Sequence, residues 1–271
     1  MRIDKTSKIY DNDKYIREKN KFYFIDFIRV NSPEMLAYSD EKNYVIARGG
    51  RGYPAWIWTV DGISESKMSE VAEIIAECFL TEGEKSKFTA KKEFYDFLKK
   101  VNYPYLKQED YFEMGTLECK EVKEPNICEG SMDKPKAEEL NVLANYLYMG
   151  NHEMDRVASI SEEKAHEDIK AMLDSETLFV WRNNAGKIVC MVNYKILGKQ
   201  VKLGHVYTPN EERCKGYATN LIYHVTKLFL ELQLEPLLYT DYHYKASNKA
   251  YQNAGYEDTG ILINFACNKK V

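Results

Sequence analysis

The residues best placed to do chemistry lie in one short run, Asn210-Glu211-Glu212-Arg213-Cys214-Lys215-Gly216-Tyr217-Ala218, followed by Thr219. It sits between a strand-like segment closed by Pro209 and the start of an amphipathic helix. A turn at a helix N-terminus presents several unpaired backbone N–H groups toward one point, and the helix dipole favours negative charge there. Gly216 lets the backbone approach an anion with no side chain between, Ala218 keeps the first helical turn thin, and Arg213 and Lys215 add positive charge. The chemistry this suits is the holding of a phosphate group.

The elements that must position this run are read from periodicity and punctuation. Lys136 to Met149 and Ser161 to Leu173 carry apolar residues at helical spacing, and Ser161 followed by two glutamates suits a helix start. Thr177–Trp181 and Lys187–Tyr194 flank Asn183-Asn184-Ala185-Gly186 and read as a hairpin. Gln200–Thr208 is a third strand. Leu221, Ile222, Val225, Leu228, Phe229 and Leu232 form one helical stripe over Ala218–Leu232, and Pro236 stops it. Leu237–Tyr242 is a further strand, Ala246–Asn253 a short helix ended by Gly255, and Ile261–Cys267 a last strand. Glu121 to Pro135 has two prolines, a glycine and neither period, and is the expected domain boundary.

Arg213-x-x-Gly216-x-Ala218 resembles the Arg/Gln-x-x-Gly-x-Gly/Ala pyrophosphate loop of the GCN5-related N-acetyltransferases (GNAT). The surrounding order supports the resemblance: a strand ending Tyr207-Thr208-Pro209, the loop, the long helix, a strand, then Asn248-Lys249-Ala250-Tyr251 and Gly255-Tyr256. It covers residues 123–271 and implies an α/β fold whose mixed, mainly antiparallel sheet is flanked by helices. It also implies acetyl-CoA as co-substrate and no metal. The donor would lie where Gln200–Thr208 and Leu237–Tyr242 splay apart, its pantetheine arm on the backbone of Val206, Tyr207 and Thr208. Arg213, Cys214, Lys215, Gly216, Tyr217, Ala218 and Thr219 would hold the pyrophosphate, and Asn248 would contact the cofactor.

Direct attack by an amine on the thioester needs an acid for the departing thiolate. The resemblance assigns it to Tyr251, whose phenol, with an ordinary pKa near 10, matches a basic sulfur; the alternative is a core tyrosine, one of 21 in the chain. His205 shares a strand face with Tyr207 by the period of two, pointing into the acceptor site as a catalytic group or into the core as a structural one. His152 and Glu153 follow the first helix, where acceptor loops lie in the family, and otherwise read as a solvated loop. Cys214 is given no task by acetyl transfer.

Residues 1–122 read as strands at Tyr23–Val30, Tyr44–Arg48 and Ala55–Val60, a helix at Ser64–Phe79, then a strand at Lys87–Ala90 and a helix at Lys91–Lys100. That order suggests either a divergent GNAT-like repeat or an unrelated α+β accessory domain. Thr59 to Glu65 puts Asp61 and Glu65 where a phosphate loop would want positive charge, and no helix directly follows Arg48-Gly49-Gly50-Arg51-Gly52.

Over 271 residues, 44% hydrophobic and 30% charged content is that of a globular protein with material for two domains. A net charge of −4 without a basic patch argues against nucleic acid as the partner, and against an aminoacyl-tRNA-dependent transferase. No apolar run reaches membrane-span length and the N-terminus lacks a signal-peptide pattern, so the expectation is a cytoplasmic protein without a membrane partner. Six cysteines without a CxxC pair argue against zinc or a disulfide framework. The expected function is acetyl transfer to a primary amine on a small molecule, peptide or protein, with a homodimer left open; the alternative is a non-catalytic CoA-binding sensor or interaction module.

Overall fold

The computed structural model describes residues 1–153 and 160–269. In chain order its elements begin with α1 (Asp13–Ile16), α2 (Tyr23–Asn31), β1 (Leu36–Ser39), β2 (Tyr44–Arg48), β3 (Ala55–Thr59), α3 (Glu65–Ile74), β4 (Lys85–Lys91), α4 (Lys92–Lys100) and β5 (Leu106–Glu118). They continue with β6 (Ser131–Asp133), α5 (Leu140–Glu153), α6 (Glu162–Asp174), β7 (Leu178–Arg182), β8 (Ile188–Leu197), β9 (Gln200–Tyr207), α7 (Tyr217–Glu231), β10 (Glu235–Asp241), α8 (Lys245–Asn253) and β11 (Glu257–Asn268). Two compact units result. One holds Met1–Thr116, Asp241–His243 and the residues from Thr259 onward; the other holds Leu117–Thr240 and Tyr244–Asp258.

In the first unit β1, β2 and β3 pair antiparallel, β3 and β4 parallel, and β4 and β11 antiparallel. Trp58, Tyr23, Tyr44, Phe79, Phe88 and Phe94 are fully buried in its core. Tyr23–Asn31 is a helix, where the sequence reading expects a strand. Aromatic and β-branched residues favour strands intrinsically, but burial here follows Phe22, Ile25 and Asp26, a helical spacing, and leaves Val30 exposed. Packing overrides local preference.

In the second unit β6, β7, β8 and β9 pair antiparallel in sequence, and β10 joins β9 parallel. This is the mixed sheet with flanking helices that the sequence suggests. Alternation along β7 feeds two cores: Phe179 and Trp181 pack with Leu221, Ile222, Val225 and Phe229 of α7, while Leu178 and Val180 pack with Leu143, Leu147, Ala165 and Ile169 of α5 and α6. Each of the Val, Leu, Ile and Phe side chains contributes about 1.5–3 kcal/mol by leaving water. The Ser161 side chain accepts from the Lys164 N–H at 3.2 Å and starts α6. These two layers fix β9 and the N-terminus of α7, which carry the site.

Candidate active site

The site begins where β9 leaves both neighbours. Its parallel pairing with β10 runs from Gln200–Glu235 to Leu203–Leu238 and stops there, although β9 continues to Tyr207 and β10 to Asp241. The strands part. Toward β8 the register slips: Asn193 pairs with Gly204 and Met191 with Tyr207, three steps in β9 against two in β8. The extra residue is accommodated with His205 in the left-handed region at φ 43°. A β-bulge of this kind re-aims side chains and is common beside active sites. It also breaks the period of two on which the sequence reading placed His205 and Tyr207 on one face: His205 is exposed and Tyr207 buried. Both nevertheless line a small surface recess with Tyr146 and Gly150 of α5, Met191 of β8 and Val206. A Cβ on Gly150 would come within 3.0 Å of the Tyr207 ring, so glycine there allows α5 to approach β9 closely.

After Pro209 a single 3-10 turn, Asn210–Glu212, leads into the loop. Cys214 has φ 61° and Gly216 φ 87°, and Gly216 is the N-cap of α7 without any side-chain cap. Left-handed residues of this kind help turn neighbouring N–H groups to one side, as in anion-binding concavities. Among the described residues, the N–H groups of Cys214 through Thr219 have no protein acceptor within hydrogen-bonding distance; the first paired donor is Asn220, on the Gly216 carbonyl at 3.0 Å. The positive φ, rather than crowding, demands glycine at 216, since a Cβ would meet Asn220 and Cys128 at 3.5 Å.

The two cations expected on the phosphate are engaged within the protein. Arg213 donates from Nε to the Thr208 carbonyl at 2.9 Å, ion-pairs with Glu153 and lies 5.8 Å from the Tyr207 ring. Lys215 pairs with Glu212 at 2.8 Å, and Glu212 also pairs with Lys187 at 2.9 Å. The anion-attracting character of the loop therefore rests on its N–H groups and the helix dipole.

Tyr251 is 9% exposed, packed with Cys190, Tyr217, Leu221 and Tyr256. Burial raises its pKa, with a smaller contribution from Cys190, so the phenol stays protonated at neutral pH. Among the described residues its hydroxyl has no hydrogen-bond partner, whereas that of Tyr256 is bonded to Thr226 at 2.9 Å. Cys190 is pushed up to about 12 by burial and is inert as a nucleophile; the Thr208 hydroxyl beside it is buried without a conventional hydrogen bond. Asn248 lies one helical turn before Tyr251 on α8.

Crowding around the imidazole, then Lys202 and Lys195, lower His205 to about 4. The residue keeps solvent access, which weakens any such depression, and it is neutral at pH 7 in either case. His152 and Glu153 are not in a loop but in the last turn of α5; the His152 ring lies tilted against that of Tyr148, centroids 4.0 Å apart, and Glu153 also accepts from the Tyr207 hydroxyl at 3.3 Å.

Residues read as a linker contribute as well. The Glu129 carboxylate accepts from Tyr217 at 2.7 Å, the Glu129 carbonyl from the Trp181 indole at 2.8 Å, and the Asn126 carbonyl from Asn220 at 3.0 Å. Gly130, at φ 96°, is required because a Cβ would fall 2.0 Å from the Arg182 carbonyl oxygen. Their signal in the sequence is faint, because each contact is to a residue far along the chain.

Residues 146–256 match the acetyltransferase (GNAT) family. No curated protein matches the chain in sequence. Among solved structures, a GNAT-family acetyltransferase from Colwellia psychrerythraea is similar at 12% identity and a TM-score of 0.61, covering 99% of each chain. A GCN5-related N-acetyltransferase from Kribbella flavida has the same identity and TM-score over 95% of this chain and 96% of its own. A Drosophila protein reaches 0.63 at 9% identity over 99% and 98%. At such identities the likeness is one of fold, and it extends over nearly the whole chain, both units included. The bulged strand, the parted parallel pair and the uncapped helix start all fall inside the matched segment, and residues 146–256 are a domain of the GNAT acetyltransferase family.

Proposed function

We propose that residues 123–271 transfer an acetyl group from acetyl-CoA to a primary amine by direct attack. The observation that carries this reading is the row of N–H groups, Cys214 to Thr219, that have no acceptor among the described residues and stand straight after a strand that parts from its parallel neighbour. Those N–H groups suit a pyrophosphate, and the backbone of Val206, Tyr207 and Thr208 along the gap suits an extended pantetheine arm. Asn248 would contact the same ligand. Acetyl-CoA supplies the activated thioester; the N–C bond forms as the C–S bond breaks.

Tyr251 gives its proton to the leaving sulfur. A buried, protonated phenol with no hydrogen-bond partner among the described residues favours this role over Tyr256, whose hydroxyl is committed to Thr226. A β9 N–H at the bulge stabilises the charge that develops on the carbonyl oxygen. His205, on the recess and open to solvent, passes the proton of the incoming amine to solvent. The acceptor is a small molecule, a peptide or a protein amine.

A second reading, a CoA-binding sensor, keeps the loop and gives Tyr251 no task. Thiol release over a panel of amines separates the two. Amine-dependent release is the expected result, and tight CoA binding without turnover on any acceptor contradicts the enzyme reading.

A further inference from the structure

We infer that Glu153 is the positioning residue of the donor loop, an assignment that rests on the reading of Cys214–Thr219 as the CoA site. Glu153 ends α5, and its two carboxylate oxygens do different things: one accepts from the Tyr207 hydroxyl at 3.3 Å, and the other pairs with the Arg213 guanidinium. Arg213 in turn holds the Thr208 carbonyl at 2.9 Å. The chain Tyr207–Glu153–Arg213–Thr208 therefore closes on itself across the end of β9, immediately before two left-handed residues, Cys214 and Gly216. Non-glycine residues stay in that region only where their surroundings over-determine them. Among the described residues, the Cys214 N–H and side chain make no hydrogen bond that could do this; the anchors are its neighbours, Lys215 on Glu212 and Arg213 on Glu153 and the Thr208 carbonyl.

The same glutamate links the loop to the wall of the recess. Gly150, one turn earlier on α5, and Tyr207 both line that recess. A shift of α5 on filling the recess would move Glu153 and with it Arg213. The Arg213 and Glu153 side chains are 34% and 32% exposed, so the pair is open to salt, unlike a buried one. If Arg213 instead acted by leaving Glu153 to grip the phosphate, Glu153 would compete with the donor and its removal would tighten binding. The two roles have opposite signs.

The test is calorimetric titration of CoA into the full chain and into Glu153→Ala, Glu153→Gln, Arg213→Ala and the Glu153→Ala/Arg213→Ala double variant, with thermal melting as the folding control. Glu153→Ala and Arg213→Ala should each weaken CoA binding about three- to tenfold, and the double variant should be no weaker than the worse single one. Glu153→Gln keeps the shape and an acceptor for Tyr207 and should lose about threefold, a loss that shrinks as KCl is raised. A purely structural glutamate would lower the melting temperature without this coupling to Arg213. CoA binding that is unchanged or tighter in Glu153→Ala, or additive losses in the double variant, overturns the assignment while leaving the donor site standing. A parent protein that binds no CoA overturns both.

Discussion

Each unit contains a parallel strand–helix–strand crossover, β3–α3–β4 in the first and β9–α7–β10 in the second, and the two helix starts are chemically opposite. At α3 the Ser64 side chain caps the helix by accepting from the Lys67 N–H at 3.4 Å, and acids surround it. Asp61 is held by Lys91 at 2.6 Å, which keeps its pKa low and its charge in place, and Glu65 pairs with Lys100 at 2.5 Å. At α7 the cap is Gly216, with no side chain, flanked by N–H groups that find no partner among the described residues. One helix start satisfies itself and repels anions; the other is built to be satisfied by something else. The same backbone topology thus offers an anion a row of open donors only where the side-chain cap is left out.

Chemistry at the second crossover should break most severely. Tyr251→Phe keeps the ring and removes the proton, and kcat should fall about 10²–10⁴-fold with CoA affinity within about twofold. A turnover within about threefold of the parent at matched folding would transfer the proton's source to water. Gly216→Glu should do the reverse. It forces a side chain into φ 87° and a negative charge into the row of N–H groups, so CoA binding by calorimetry should weaken roughly 10–100-fold. Unaltered affinity would mean that the anion site lies elsewhere. The smallest effect belongs to the first crossover: Ser64→Ala removes an exposed cap and should cost about 0.5–1 kcal/mol in denaturant unfolding, with no change in CoA affinity. A change in affinity would mean that the contrast between the helix starts is misplaced.

The second unit was the more legible in sequence, for reasons that reside in particular residues. The hairpin shows in Asn183, whose side chain accepts from the Ala185 and Lys187 N–H groups at 3.1 and 3.0 Å. Gly255, at φ 107°, is forced because a Cβ would lie 2.4 Å from the Glu121 carbonyl oxygen. The stripe of α7 holds in place at Leu221, Ile222, Val225 and Phe229, though Leu232 ends 61% exposed past the last turn. Such signals are local. Those that failed are tertiary: the α2 helix, set by packing; the bulge at His205, set by β8; and the ties of Glu153 to Arg213 and Glu129 to Tyr217, which span 60 and 88 residues. The loop into α7 could be read because a helix start declares itself in sequence. What braces that loop could not.

The central claim is that the unpaired N–H groups of Cys214 to Thr219 hold the donor's pyrophosphate. Backbone amide chemical shifts test it most directly, by heteronuclear NMR on the isotope-labelled full chain during titration with CoA. The expected result is saturable perturbation largest at Cys214, Lys215, Gly216, Tyr217, Ala218 and Thr219, with smaller changes along Val206–Thr208. Saturable binding that leaves those six amides unmoved, with the largest shifts elsewhere in the chain, would contradict it.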